Sequence, residues 1–333
     1  MGTNMRTEAD ESNASGAGRG EDRAPATPAG PPDRGAGRHL RRLEAEAIHI
    51  LRETVAEAKN PVLLFSAGKD STVLADLARR AFAPARPPFP LLHIDSTWEF
   101  RELLAFRDRF AERHGFRLIV AANEDGRAQG INPFDHGDAY TEIMRTRALK
   151  DALDAGGYDF VFGGARRDEE KSRAKERVVS VRSQGHGWDP RNQRPELWRL
   201  YNMRLAPGQT ARVFPLSNWT EKDIWTYAVA RDLELAPLYF AAERPVVRRG
   251  ESFVVVDDID RMRFEDGDTV ERRRVRFRTL GCWPVTGAIA SDAADLGSVA
   301  AETLGASQSE RQGRLSDGES GGSLEAKKRE GYF

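Results

Sequence analysis

The sequence has a single cysteine, Cys282, which excludes an internal disulfide and any CxxC site within one chain. No apolar stretch approaches the length of a membrane-spanning helix. The N-terminus carries acidic residues and no apolar core, unlike a secretory signal. An excess of charge of one sign is also lacking. With 51 Lys and Arg against 52 Asp and Glu, the formal net charge is −1, so the global balance points neither to nucleic acid nor to an anionic membrane. Two nucleotide signatures are missing as well: Gly68-Lys69-Asp70 is not the Gly-Lys-Ser/Thr of a P-loop, and no G-x-G-x-x-G joins a strand to a helix. These absences lead to the expectation of a soluble, cytoplasmic chain whose 333 residues make about two domains.

What is present centres on Phe65-Ser66-Ala67-Gly68-Lys69-Asp70-Ser71-Thr72. The apolar run Val62 to Phe65 enters this turn, and Val73, Leu74, Leu77, Ala78 and Ala81 leave it at helical spacing. A strand, a small-residue turn and a helix present backbone N–H groups and the positive end of a helix dipole to an anion. Ala67 and Gly68 let a bulky oxyanion approach, and Gly68 is the residue expected to supply any positive φ. Ser66 and Ser71 offer hydroxyls, and Lys69 a mobile point charge suited to phosphate. Asp70 is repelled by phosphate unless a cation lies between them, which suggests Mg²⁺ with Asp70 as its ligand. The plainer reading makes Asp70 a helix N-cap. The stretch matches the pyrophosphate-loop pattern Ser-Gly-Gly-x-Asp-Ser, with Ala67 in place of the first Gly. Enzymes with this loop typically cleave ATP between the α- and β-phosphates.

Residues 1–38 are rich in Gly, Ala, Pro, Arg and acids, and read as a disordered tail. Gly16-Ala17-Gly18-Arg19-Gly20 within it has no strand before it. Residues 39–240 read as an α/β domain: helix 39–59, strand 62–66, helix 70–83, strand 90–95, helix 99–114, strand 117–121, helix 139–154 and strand 158–162. This alternation predicts a parallel twisted sheet with helices on both faces, and ligands beyond the carboxyl ends of its strands. That edge collects 66–71, 95–98 and 163–167. In the second loop Asp95 is either a ribose or metal contact or a helix cap, and Trp98 or Phe100 either borders a base or fills the core. In the third, Gly163-Gly164 places Arg166 and Arg167 beside the phosphates, two guanidinium forks suited to a doubly charged oxyanion. Lys69 and Arg166 are expected on the solvated edge of the site.

Glu169 and Arg173 are spaced as an i,i+4 pair, so Lys171, Arg173 and Lys175 read as a solvated helix face. Residues 182–212 read as a long ordered loop, a lid or a binding loop. Thr220-Glu221-Lys222-Asp223 reads as a capped helix start. Residues 241–333 read as an irregular C-terminal extension with a strand at 253–256. Its segment 271–278 puts Arg272, Arg274, Arg276 and Arg278 on one face and Arg273, Val275 and Phe277 on the other. That is either an edge strand with a solvated basic face or a phosphate or partner contact.

With these blocks on the page, the chain resembles the small subunits of bacterial heteromeric sulfate adenylyltransferases. The matching stretches include His39-Leu40 through Ser71, Phe89-Pro90-Leu91-Leu92-His93, Gly130-Ile131-Asn132-Pro133-Phe134, Gly163 through Arg177, Phe214-Pro215-Leu216-Ser217-Asn218-Trp219-Thr220, Val275 through Trp283 and the terminal Gly331-Tyr332-Phe333. The resemblance implies an adenine nucleotide α-hydrolase-like fold of the pyrophosphate-loop type, related to phosphoadenylyl-sulfate reductases. It implies that ATP and sulfate give adenylyl sulfate and pyrophosphate, with Mg²⁺. It also implies a large GTPase partner subunit whose GTP hydrolysis drives the uphill step, with residues 241–333 as the contact. Lys69, Arg166 and Arg167 are then the catalytic candidates, and Ser66, Ala67, Gly68, Lys69, Asp70, Ser71, Asp95, Gly163 and Gly164 the nucleotide-binding ones. Two departures stand out: Ala67 for Gly, and Asp95-Ser96-Thr97 where relatives more often read Asp-Thr-Gly, which strains Thr97 if that position needs φ > 0.

Two other readings compete. A phosphoadenylyl-sulfate reductase needs a nucleophilic thiolate, and Cys282 is held between Gly281 and Trp283. A non-catalytic nucleotide-binding subunit that regulates a GTPase would have no need of the intact Lys69-Asp70-Ser71.

Overall fold

The structure, a computed structural model, describes residues 34–250 and 252–305. The tail expectation for 1–33 and the end of the extension, 306–333, lie outside them. Helix α1 (Arg34–Glu57) is followed by β1 (Val62–Leu64), α2 (Lys69–Phe82), β2 (Leu91–Ile94), α3 (Arg101–Arg113) and β3 (Leu118–Ala121). Then come α4 (Glu124–Ala128), α5 (Pro133–Thr141), a π-helical stretch Glu142–Arg147, α6 (Ala148–Gly156), β4 (Phe160–Phe162), α7 (Lys171–Ala174), β5 (Val179–Arg182), β6 (Thr210–Val213) and α8 (Glu221–Arg231). Residues 34–38, assigned to the tail, are already helical. Apolar periodicity marks only the buried stripe of α1, whereas hydrogen bonding carries the helix past it. A short turn capped by Asn132, which accepts the N–H groups of Phe134 and Asp135, precedes the helix expected at 139–154 and is set off from it by a kink at Gly137 (φ 46°).

The first six strands form one sheet in the order β3-β2-β1-β4-β6-β5. All neighbours are parallel except β5, which runs antiparallel to β6. The sheet is parallel as expected apart from this one edge strand, and two strands fall inside or beside the stretch read as a loop. Period-two alternation divides the side chains between two faces. Leu63 and Phe65 join a core with α1, α2, α3 and α8, while Val62, Leu92 and Val161 pack on Leu149 and Leu153 of α6.

The extension is not irregular. Strands β7 (Ala242–Arg249), β8 (Ser252–Val255), β9 (Glu271–Arg276) and β10 (Gly287–Ala290) close an antiparallel barrel in the order β10-β8-β7-β9. Helix α9 (Leu296–Gly305) follows and lies against α8. Closure removes the edge, so β9 is not an edge strand; Arg272 and Arg274 of the expected basic face are exposed, but its other two arginines are not. Arg276 is buried and donates to Glu302 at 2.8 Å, and Arg278 donates to Glu221 at 3.2 Å. Phe100 packs on Phe277 and Trp98 on Trp283, joining sheet to barrel. Both aromatics therefore fill the core.

Candidate active site

The turn after β1 is held by its own polar groups. The Ser71 hydroxyl donates to the Gly68 carbonyl at 3.0 Å, Thr72 donates to the same oxygen at 2.9 Å, and the Ser66 and Ser71 hydroxyls lie 3.2 Å apart. The positive φ falls on Ala67 (57°), not on Gly68, whose φ is −75°. Gly68 matters for space instead: a Cβ there would lie 3.3 Å from the Ser66 hydroxyl and 3.5 Å from that of Tyr239. The backbone N–H of Lys69 opens α2 and donates to the Tyr239 hydroxyl at 2.8 Å. Behind the turn, the His93 ring sits 2.9 Å from the Phe65 carbonyl through Nδ1. A carbonyl can only accept, so Nδ1 carries the proton. Burial holds this imidazole below its ordinary pKa, partly offset by that bond.

Asp70 is clasped by two cations. Lys69 Nζ lies 3.0 Å from one carboxylate oxygen and Arg166 Nε 2.6 Å from the other. Burial alone would raise the Asp70 pKa, but Lys69 and Arg166 outweigh it and hold it at about 2. Gly164 makes this approach possible, since a Cβ on it would meet the backbone of Asp70 and Ser71 at 3.1 Å. Lys69 and Arg166 are buried, at 2% and 1% exposure, which corrects the solvated edge expected for them. Asp70 supplies the countercharge that makes this burial affordable.

A cavity of about 250 Å³ opens in front of the turn. Ser66, Gly68, Lys69, Asp70, Ser71 and Gly164 border it, with Leu64, Ile94 and Leu149 on an apolar side and Arg145, Glu169 and Arg173 on a charged one. Arg166 stands behind Asp70, outside the lining. Arg167 turns away, donating to Asn218 at 2.6 Å, with Glu196 at 3.8 Å. Gly163 spends its N–H on the Val213 carbonyl as part of the sheet. Asp95 accepts the Thr97 N–H at 2.7 Å and faces Arg127 in an adjoining hollow. Of the residues proposed from sequence, the structure therefore gathers the Ser66–Ser71 turn, Gly164 and, through Asp70, Arg166. It does not bring Ala67, Asp95, Gly163 or Arg167 to the cavity wall.

The model of the phosphoadenosine phosphosulfate reductase domain matches residues 60–288. Over 296 residues, 89% of this chain, the sequence is 60% identical to sulfate adenylyltransferase subunit 2 of Mesorhizobium japonicum, covering 98% of that protein. It is 61% identical over the same length to sulfate adenylyltransferase subunit 2 of Myxococcus xanthus, covering 97% of it. The chain belongs to the sulfate adenylyltransferase subunit 2 family. Among solved structures, phosphoadenylyl-sulfate reductase from Candida auris is similar at a TM-score of 0.43 and 16% identity, over 60% of this chain and 89% of that one.

Sequence reasoning missed part of this family member's cavity. Tyr239 comes from a turn far along the chain and carries no motif of its own. Arg173, read as a solvated face, is a wall residue with a side chain only 11% exposed, ringed by Glu169, Glu170 and Glu176. Arg145 and Thr146 are turned inward by the π-helical stretch, a local widening that often marks functional sites. Cys282 is buried within 3.0 Å of the Tyr140 hydroxyl and 3.4 Å of Ser96, far from the accessible thiolate a reductase needs.

Proposed function

We propose that this chain is the adenylyl-transferring subunit of a sulfate adenylyltransferase, converting ATP and sulfate into adenylyl sulfate and pyrophosphate. The observation that carries the proposal is the convergence of the β1 turn, Gly164 and the first turn of α2 on one cavity with an apolar side and a cationic side. The apolar side suits the base, and the turn suits the β- and γ-phosphates that depart. Lys69 borders the cavity and supplies a mobile cation, while Arg166 fixes Asp70 and acts as a positioning residue. On the charged wall Arg145 is the guanidinium suited to incoming sulfate, whereas Arg173 is occupied by Glu169, Glu170 and Glu176.

A sulfate oxygen bonds to the α-phosphorus as the bond from that phosphorus to the bridging oxygen breaks, and the electron pair leaves with pyrophosphate. Sulfate is already an anion, so no general base is required. The work is placement and charge neutralisation. Among the described residues, no group of three or more His, Cys, Asp or Glu side chains could hold a metal ion. The turn's one carboxylate, Asp70, fits an ion that arrives on the nucleotide's phosphates, as Mg²⁺ commonly does. Asp70 would be its protein ligand, and the ion would neutralise phosphate charge.

The product is a mixed anhydride of high energy, and the sequence has no P-loop. Coupling to GTP therefore calls for a companion GTPase chain in a heterodimer or larger complex. No helix among the described residues is long and apolar enough to cross a membrane, in keeping with a cytoplasmic site of action. Purified chain and companion, given ATP, Mg²⁺ and GTP, should release pyrophosphate only when sulfate is present. No release from the pair or from the chain alone would overturn the proposal and leave a nucleotide-binding role.

A further inference from the structure

The sites described so far leave one conspicuous surface without a task. Between β5 and β6 the chain makes a short 3₁₀ turn, Leu197–Arg199, in which Trp198 (φ 51°) and Arg199 (φ 62°) both take the left-handed conformation. Two successive non-glycine residues in this region are strained by their Cβ atoms. The effect is to throw the Trp198 ring into solvent at 85% exposure, flanked by Leu197 at 61% and Leu200 at 69%. No large apolar side chain among the described residues is more exposed.

The loop is nonetheless fastened. Glu196 accepts the N–H groups of Val178 (3.0 Å) and Val179 (2.8 Å), Gln193 bonds both the N–H and the carbonyl of Val181, and Arg194 donates to the Asn202 carbonyl. Met203 is buried in the core, and Arg199 lies 3.5 Å from Glu46 on α1. With the backbone fastened on both sides of the exposed tryptophan, binding has less loop entropy to remove. Its surroundings are basic, because Arg191, Arg199 and Arg204 are exposed in the same loop, while Glu196 is turned inward onto β5. Tryptophan and arginine are the residues that dominate binding energy at protein interfaces.

We propose that the Leu197–Leu200 turn is a docking knob for a protein partner bearing an apolar recess rimmed by carboxylates. Resting on the reading above, that partner is the companion GTPase subunit. The barrel loop, with Ile259 and Phe264 exposed, is the rival face and serves as the control.

The test uses the full chain co-purified with its companion. Trp198→Gly removes the ring and suits the left-handed backbone, so the isolated chain should keep or raise its Tm while the complex weakens about 30-fold or more. Arg191→Glu should weaken it further at low salt, and Phe264→Ser should leave it unchanged. If wild-type chain and companion associate and Trp198→Gly binds equally well, the docking knob is wrong and the companion reading stands. If the wild type captures no companion, both fall. A change only in self-association of the chain, or only in the KM for ATP, would overturn the proposal in favour of a second copy or of a lid over the chain's own cavity.

Discussion

The loop after β4 and strand β9 of the barrel are both arginine-rich, and each buries one arginine to 1% exposure against a carboxylate. Arg166 meets Asp70 at 2.6 Å and Arg276 meets Glu302 at 2.8 Å. The difference lies in where the carboxylate stands. Asp70 borders the cavity with Lys69 beside it, whereas Glu302 lies on α9 at the surface, sharing Arg276 with Ser291. A buried ion pair is thus no marker of function in itself. What the acid faces decides its role.

The sharpest way to break this comparison is truncation. Lys69→Ala should lower turnover about 100-fold or more, as loss of a transition-state charge contact does. Arg166→Ala should lower turnover about 10- to 100-fold, as supporting-shell changes do, and should also lower Tm, since Asp70 loses one of two partners. Arg276→Ala should cost about 1–3 kcal/mol of stability with unchanged turnover per folded molecule. Sulfate-dependent pyrophosphate release by the purified pair, set against melting by circular dichroism, reads both quantities. Equal activity losses in Arg166→Ala and Arg276→Ala would erase the distinction.

Next in size is the acid limb that the cavity pair adds to unfolding. Asp70 is held at about 2, below the ordinary 3.8. A depressed carboxylate stabilises the fold fully above its unfolded pKa and loses that contribution as the pH falls through the folded one. The window therefore runs from about pH 4 down to about pH 2, and the contribution is on the order of 2 kcal/mol. The gap in urea midpoint between wild type and Asp70→Asn should shrink between pH 6 and pH 2.5. A gap of constant size would remove the clasp as a source of stability.

The fold of the first half was legible because its strands are apolar and its helices periodic. The Ser66–Ser71 turn was legible because its residue types each suit an anion. Other features were hidden by contacts from distant sequence. Arg167 is drawn away by Asn218 and Glu196, which nothing local to Gly163-Gly164 announces. Strand β6 carries the fully buried Arg212, which interrupts the apolar run that marks a central strand. Barrel strand β7 hides likewise, because Arg244, Arg248 and Arg249 break its apolar pattern although closure buries Arg244. The left-handed residue in the turn was misplaced by one, since glycine marks both positive φ and close approach.

A smaller effect separates thiol chemistry from adenylyl transfer. Cys282 is packed against Tyr140 and Ser96, and burial, together with Cys282 itself, pushes the Tyr140 phenol above its ordinary range. Cys282→Ser retains a partner for both hydroxyls, so turnover should stay within about twofold and stability within about 1 kcal/mol. Abolished turnover in a variant that still melts cooperatively would restore the reductase reading.

The smallest effects compare the two left-handed residues beside the site. Ala67 (φ 57°) and Thr97 (φ 69°) both occupy positions where glycine costs nothing. Relief of left-handed strain is worth about 1–2 kcal/mol, against about 0.5–1 kcal/mol lost to the freer unfolded chain. Ala67 is fully buried, so Ala67→Gly also gives up a methyl group worth about 0.8 kcal/mol and should be close to neutral. Thr97 is β-branched and partly exposed. Its conformation is held by backbone bonds that glycine would keep, its N–H to Asp95 at 2.7 Å and its carbonyl to Arg261 at 2.8 Å. Thr97→Gly should therefore raise stability by up to about 1 kcal/mol in denaturant titrations, with turnover unchanged in both variants. A larger gain from Ala67→Gly would mean that strain is concentrated in the anion-binding turn, not in the loop beside it.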